Sequence, residues 1–166
     1  MEQEKKDLIK IVEPHKIMSR DVNFGDIKRV VDDAKKMYEL IGTKIGNYEG
    51  FYAIAHCQVT REDPLRFFLA NPQYDIFDEL PEAIIVNPKI VNHTKQIIMK
   101  EEGCLSYATL HPVQVERWNK CDVEYQVITE EGNISEVYKE TLSSTLAQVF
   151  QHEIDHFNAK YIYKIK

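Results

Sequence analysis

The sequence predicts an α+β fold: antiparallel β-sheets packed around a central C-terminal helix that carries a His-Glu-x-x-His pattern, with one amphipathic helix near the N-terminus. Three observations predict it. Between Phe24 and Ile41 the apolar residues Ile27, Val30, Val31, Ala34, Met37, Tyr38 and Ile41 recur at three- and four-residue steps, the spacing of one helix face. Short β-branched and aromatic segments then follow at 83–86, 97–99, 113–118, 123–129 and 134–138, separated by Asn-Pro, Glu-Gly and Gly-Asn turn signals. Finally, Thr141 to Asn158 reads as one long helix, with Ser143 or Ser144 near its start to cap it.

The remaining stretches fill in around these elements. Gly42 ends the first helix, and 43–49 is a glycine-punctuated loop leading into an extended Phe51–Ala55. A chain of 166 residues fits one domain, 1–166, large enough to bury a core. The formal charge of -6 and the absence of a basic run with aromatics disfavour direct nucleic-acid binding. The charged N-terminus is followed by too few apolar residues for a signal peptide or membrane span. Three cysteines, Cys57, Cys104 and Cys121, are an odd and sparse set that suits a reducing, cytoplasmic setting.

The chemistry is concentrated in His152-Glu153-Ile154-Asp155-His156. Helix positions four apart lie within about 40° of each other, so His152 and His156 can offer ring nitrogens to one ion, with Glu153 beside them. A helical projection puts Leu142, Thr145, Leu146, Val149, Phe150 and Phe157 on the same half as these three, and Ser144, Gln148, Gln151, Asp155 and Asn158 on or near the other. Two imidazoles and a carboxylate on a buried face are costly to leave unsatisfied, which favours a shared ligand over histidines bonded to backbone carbonyls. An open catalytic site needs a third protein ligand. After His156 the chain contains no His, Cys, Asp or Glu, so that ligand comes from upstream, where Cys104, Cys57, Cys121, His56, His93 and His111 are candidates. The expectation is a metal-dependent amide hydrolase.

Glu102-Gly103-Cys104-Leu105-Ser106 and Gln151-His152-Glu153-Ile154-Asp155-His156-Phe157-Asn158 resemble, nearly residue for residue, the second and third signature motifs of the peptide deformylases. The first family motif is matched less well by 51–58, which keeps Ala55 and Gln58 but carries Phe51 and Ala53 at family glycines and His56 beside Gln58. The resemblance implies Cys104, His152 and His156 as ligands of one divalent ion, Fe(II) in the typical member, while a thiolate set also suits Zn(II), Ni(II) or Co(II). It implies Glu153 as general base and then acid, and the Gln58 side-chain amide with the Leu105 backbone N–H as oxyanion donors. The implied substrate is an N-formylmethionyl peptide or nascent chain, the product formate.

Around these residues, Glu102 is expected to pair with Arg117, Asp155 is given no role at the site, and Cys57 and Cys121 are core residues. Thr145 and Gln148 predict a more polar pocket than a methionine thioether calls for, with Tyr52 facing it. Two alternatives accompany this reading: a related deacylase for a different N-formyl or N-acyl amine, and a metal-binding paralogue without turnover. The chain runs only from Phe157 to Lys166 beyond the motif. The C-terminal helix by which some family members are thought to contact the ribosome is therefore not expected, and ribosome contact stays open.

Overall fold

The computed structural model describes residues 10–42, 52–104, 106 and 111–163. A single turn of 3-10 helix at Phe24–Asp26, capped by Asn23, leads into α1 (Ile27–Gly42). The strands are β1 (Ala53–Ala55), β2 (Phe67–Ala70), β3 (Ile84–His93), β4 (Ile97–Glu102), β5 (Val113–Trp118), β6 (Lys120–Val127) and β7 (Tyr138–Ser143), and α2 (Ser144–Phe157) follows. The named strands all pair antiparallel, in one sheet of order β1-β2-β3-β6-β7 and a separate β4-β5 hairpin. No helix among the described residues is long and apolar enough to cross a membrane.

β1, β2 and the start of β3 are buried on both faces, with successive side chains pointing to opposite sides. Ala53, Ala55, Phe68, Ala70, Ile85 and Val123 face Ala147, Val149, Phe150 and Phe157 of α2. Ile54, Phe67, Leu69 and Val86 face Val30, Ala34 and Met37 of α1. Two-sided burial explains why β2 was not predicted: Phe-Phe-Leu-Ala has no polar residue to set an alternation. The expected strand at 134–138 also shifts. Ile134 makes only an isolated bridge to Ile128, and the partner of β6 is Tyr138–Ser143, whose polar Lys139-Glu140-Thr141 suits an exposed edge. The expected helix accordingly starts at Ser144 rather than Thr141, with Ser143 at the cap position but making no side-chain cap bond.

α2 ends in a Schellman turn. Ala159 N donates to His156 O at 3.0 Å and Lys160 N to Asp155 O at 2.8 Å, which forces Ala159 to φ +57°. Glycine occupies this left-handed conformation without the Cβ clash that alanine meets. Ala159→Gly is therefore expected to stabilise the fold by about 0.5–1 kcal/mol, seen as a higher urea midpoint; a lower midpoint contradicts this.

His56, in the 3-10 turn His56–Gln58 after β1, points to the α1 face and not to the motif helix. Leu65 N donates to its Nδ1 at 2.9 Å, so that nitrogen carries no proton, and Nε2 donates to Asp33 Oδ2 at 2.8 Å. The ring also stacks on Phe67. Burial pushes the His56 pKa below 6.5, against the pull of Asp33. An unfolded histidine takes up its proton near pH 6.5 and the folded one only at lower pH. This contribution to stability is therefore complete above about pH 6.5 and is lost as pH falls toward the folded value. We expect the urea midpoint to drop between about pH 7.5 and 5.5, and His56→Asn to flatten that slope while lowering the plateau. An unchanged slope in the variant contradicts the neutral-ring assignment.

Candidate metal centre

α2 delivers His152, Glu153 and His156 to one place because its periodicity turns them toward β1 and the end of β4. Cys104 arrives just after β4, and Gln58 closes the turn after β1. His156 Nε2 lies 3.0 Å from His152 Nε2 and 3.5 Å from Cys104 Sγ, and the three ligand atoms all fall within 4.8 Å of one another. Tetrahedral bonds of about 2.0–2.1 Å to nitrogen and 2.3 Å to sulfur set donors roughly 3.3–3.6 Å apart, so the set fits one ion. Among the described residues this is the one such group of three. Cys57 and Cys121 are buried core residues, His56 faces α1, His93 stacks on Trp118, and His111 is exposed. None of these joins the cluster.

Partner geometry sets which ring nitrogen of His152 faces the cluster. His152 Nδ1 donates to Glu102 Oε1 at 2.7 Å, leaving Nε2 available. Burial drives the His156 pKa well below 6.5, so its ring is neutral. Burial also works against a proton on His152, but Cys104, Glu102 and Glu153 outweigh it and lift its pKa to about 10. The negative groups that favour a proton there equally favour a metal cation in its place. Glu153 is 3% exposed, Oε2 has no hydrogen-bond partner, and burial raises its pKa to about 7. Gln58 accepts Ala55 N through Oε1 at 2.8 Å, which aims Nε2 at Cys104 Sγ (3.7 Å) and Ser106 Oγ (3.1 Å). Leu105 and Phe51 lie outside the described residues.

The expected Glu102–Arg117 pair forms and is bidentate, with Nε to Oε2 at 2.7 Å and Nη2 to Oε1 at 2.6 Å. Burial opposes charge on Glu102, but Arg117 and His152 hold its pKa down at about 2. Gln148, Gln151 and Asp155, which project to the other half of α2, are all engaged by the rest of the fold. The β4-β5 hairpin covers that side, so it is not a solvent face. Gln151 bonds both backbone groups of Trp118 at 2.9 Å, Asp155 accepts Arg117 Nη1 at 2.7 Å, and Gln148 donates to Glu102 Oε2 at 3.2 Å. The periodicity of α2 alone carried no signal for these contacts.

At the cluster opens a cavity of about 190 Å³, lined by Tyr52, Ala53, Pro112, Gln148 and Val149 together with Glu153 and Gln58. A thiol and two imidazoles from a His-Glu-x-x-His helix, with a buried carboxyl at a cleft, mark the class as a metallohydrolase. The polypeptide deformylase family model matches residues 10–165. A peptide deformylase from Rhizobium meliloti is 38% identical over 147 residues, covering 86% of this chain and 74% of that protein. Peptide deformylase 2 of Nostoc sp. is 38% identical over 88 residues, which span 53% of this chain and 46% of the relative. The crystal structure of peptide deformylase from Thermotoga maritima superimposes with a TM-score of 0.71 at 26% identity, covering 93% of this chain and 95% of that one. The chain belongs to the polypeptide deformylase family.

Proposed function

We propose that this protein removes the N-formyl group from the N-terminal methionine of nascent polypeptides, releasing formate, in the cytoplasm where those chains are made. The observation that carries this reading is the convergence of Cys104 Sγ, His152 Nε2 and His156 Nε2 beside the unpartnered Glu153 Oε2 and the Gln58 amide. Cys104, His152 and His156 would hold one divalent ion, Fe(II) in our reading, with Zn(II), Ni(II) or Co(II) compatible with the same donors. When bound, that ion supplies Lewis acidity to water and to the formyl oxygen.

The chain's own groups do the rest. Glu153 takes a proton from the attacking water as the new C–O bond forms, and its raised pKa near 7 suits both accepting and returning that proton at neutral pH. Gln58 Nε2, held by Ala55 through the other end of its amide, donates to the oxygen on which negative charge develops. The Leu105 backbone N–H is proposed as a second donor. As the C–N bond breaks, Glu153 gives its proton to the departing amine, so formate and a free N-terminal methionine leave. The apolar walls of Ala53, Pro112 and Val149 take the methionine side chain.

One observation favours a second reading, a deacylase for another N-acyl amine: Gln148 puts an amide on the cavity wall. A panel of formyl- and acetyl-peptides with Met, norleucine, Gln or Ser first separates the two. Preference for formyl-Met supports the proposal, and preference for another acyl group or a polar first residue supports the alternative. No turnover across the panel overturns both.

A further inference from the structure

We infer that Asp155 is a positioning residue for the metal centre, acting through Arg117 and Glu102 on the ring of His152. The inference rests on the reading of Cys104, His152 and His156 as ligands. The contacts form a closed circuit. His152 on α2 donates from Nδ1 to Glu102 at the end of β4, Glu102 receives the two-point grip of Arg117 on β5, and Arg117 Nη1 returns to Asp155 on α2 at 2.7 Å. Asp155 stands three residues after His152, so the helix fixes the separation of the two ends of the circuit.

Closure matters because of what each link leaves free. A bidentate carboxylate–guanidinium pair is planar and stiff within itself, yet it can swing as one body about its remaining support. With Asp155 in place the guanidinium is held along one edge by Glu102 and at Nη1 by α2. Without Asp155 the side-chain bonds that still resist that swing are those of Gln148 Nε2 at 3.2 Å and His152, and the His152 ring is expected to turn with Glu102. Ring orientation decides whether Nε2 lies on the line to the ion. Exposure separates Asp155 from the other links: its side chain is 38% exposed, against 4% for Glu102 and 7% for Arg117. An acid so exposed adds little to folding, so its effect should fall on the metal and not on the fold.

The test uses full-length protein stripped of metal and titrated with Co(II) against a competing chelator, alongside the Co(II) absorption spectrum and the melting midpoint of the stripped protein. Asp155→Ala is expected to weaken Co(II) binding about 10–100-fold, to alter the spectrum and to leave the stripped midpoint in place. Asp155→Asn, which loses the charge but keeps an acceptor oxygen, is expected to fall between Asp155→Ala and wild type. Asp155→Glu should restore most of the affinity. Glu124→Gln, which removes a surface partner of Lys139 far from the site, should match wild type. Wild-type affinity and spectrum in Asp155→Ala overturn the inference, as does a loss of affinity matched by a lower stripped midpoint and not rescued by Asp155→Glu. If wild type itself binds no Co(II), the ligand reading falls, and this inference with it.

Discussion

Replacing Glu153 with glutamine is expected to lower kcat by about 10²–10⁴-fold, the usual contribution of a positioned acid–base group, while metal content stays at that of wild type. The substitution is nearly isosteric. Glu153 is buried, and its Oε2 makes no hydrogen bond, so little in the fold depends on the carboxylate. What is lost is the ability to take a proton from water and return it to the amine. KM should change little, because the side chain reaches the reacting atoms and not the methionine pocket. Formate release under saturating substrate, with metal analysis of the same sample, reads this directly. Activity within a few-fold of wild type would remove Glu153 from the mechanism.

The second large effect is expected at Cys104. Cys104→Ala leaves two imidazoles from one helix turn, a set with neither the charge nor the third donor that an open tetrahedral site needs. Stoichiometric metal should be lost, and with it turnover. Ligand binding to the folded state raises its stability by mass action, so added Zn(II) should raise the melting midpoint of wild type and not of this variant. Glu102, Gln58 and Glu153 all remain in Cys104→Ala, so retained metal and turnover would mean that the ligand set lies elsewhere.

Much of this was legible in the sequence. α1 announced itself by its apolar spacing, and the pair His152 and His156 by a four-residue interval that has meaning only on a helix. Cys104 was marked by its own motif, and its Sγ stands 3.5 Å from His156 Nε2. The failures share one cause: a pattern read along a single element says nothing about what covers its other side. β2 has no alternation because both its faces are buried, and the polar edge strand β7 was split between the end of the expected strand at 134–138 and the start of the expected helix. Asp155 is given no role by the projection of α2, because that projection does not include the β4-β5 hairpin that brings Arg117 to it, and the bond from Gln148 to Glu102 is hidden for the same reason.

The most direct test of the central claim is the initial rate of formate release from formyl-Met-Ala-Ser by protein loaded anaerobically with Fe(II), beside the same protein stripped of metal. The account predicts steady release of one formate per free methionyl peptide from the loaded protein, and none above buffer from the stripped one. Fully loaded protein that releases no formate would contradict it.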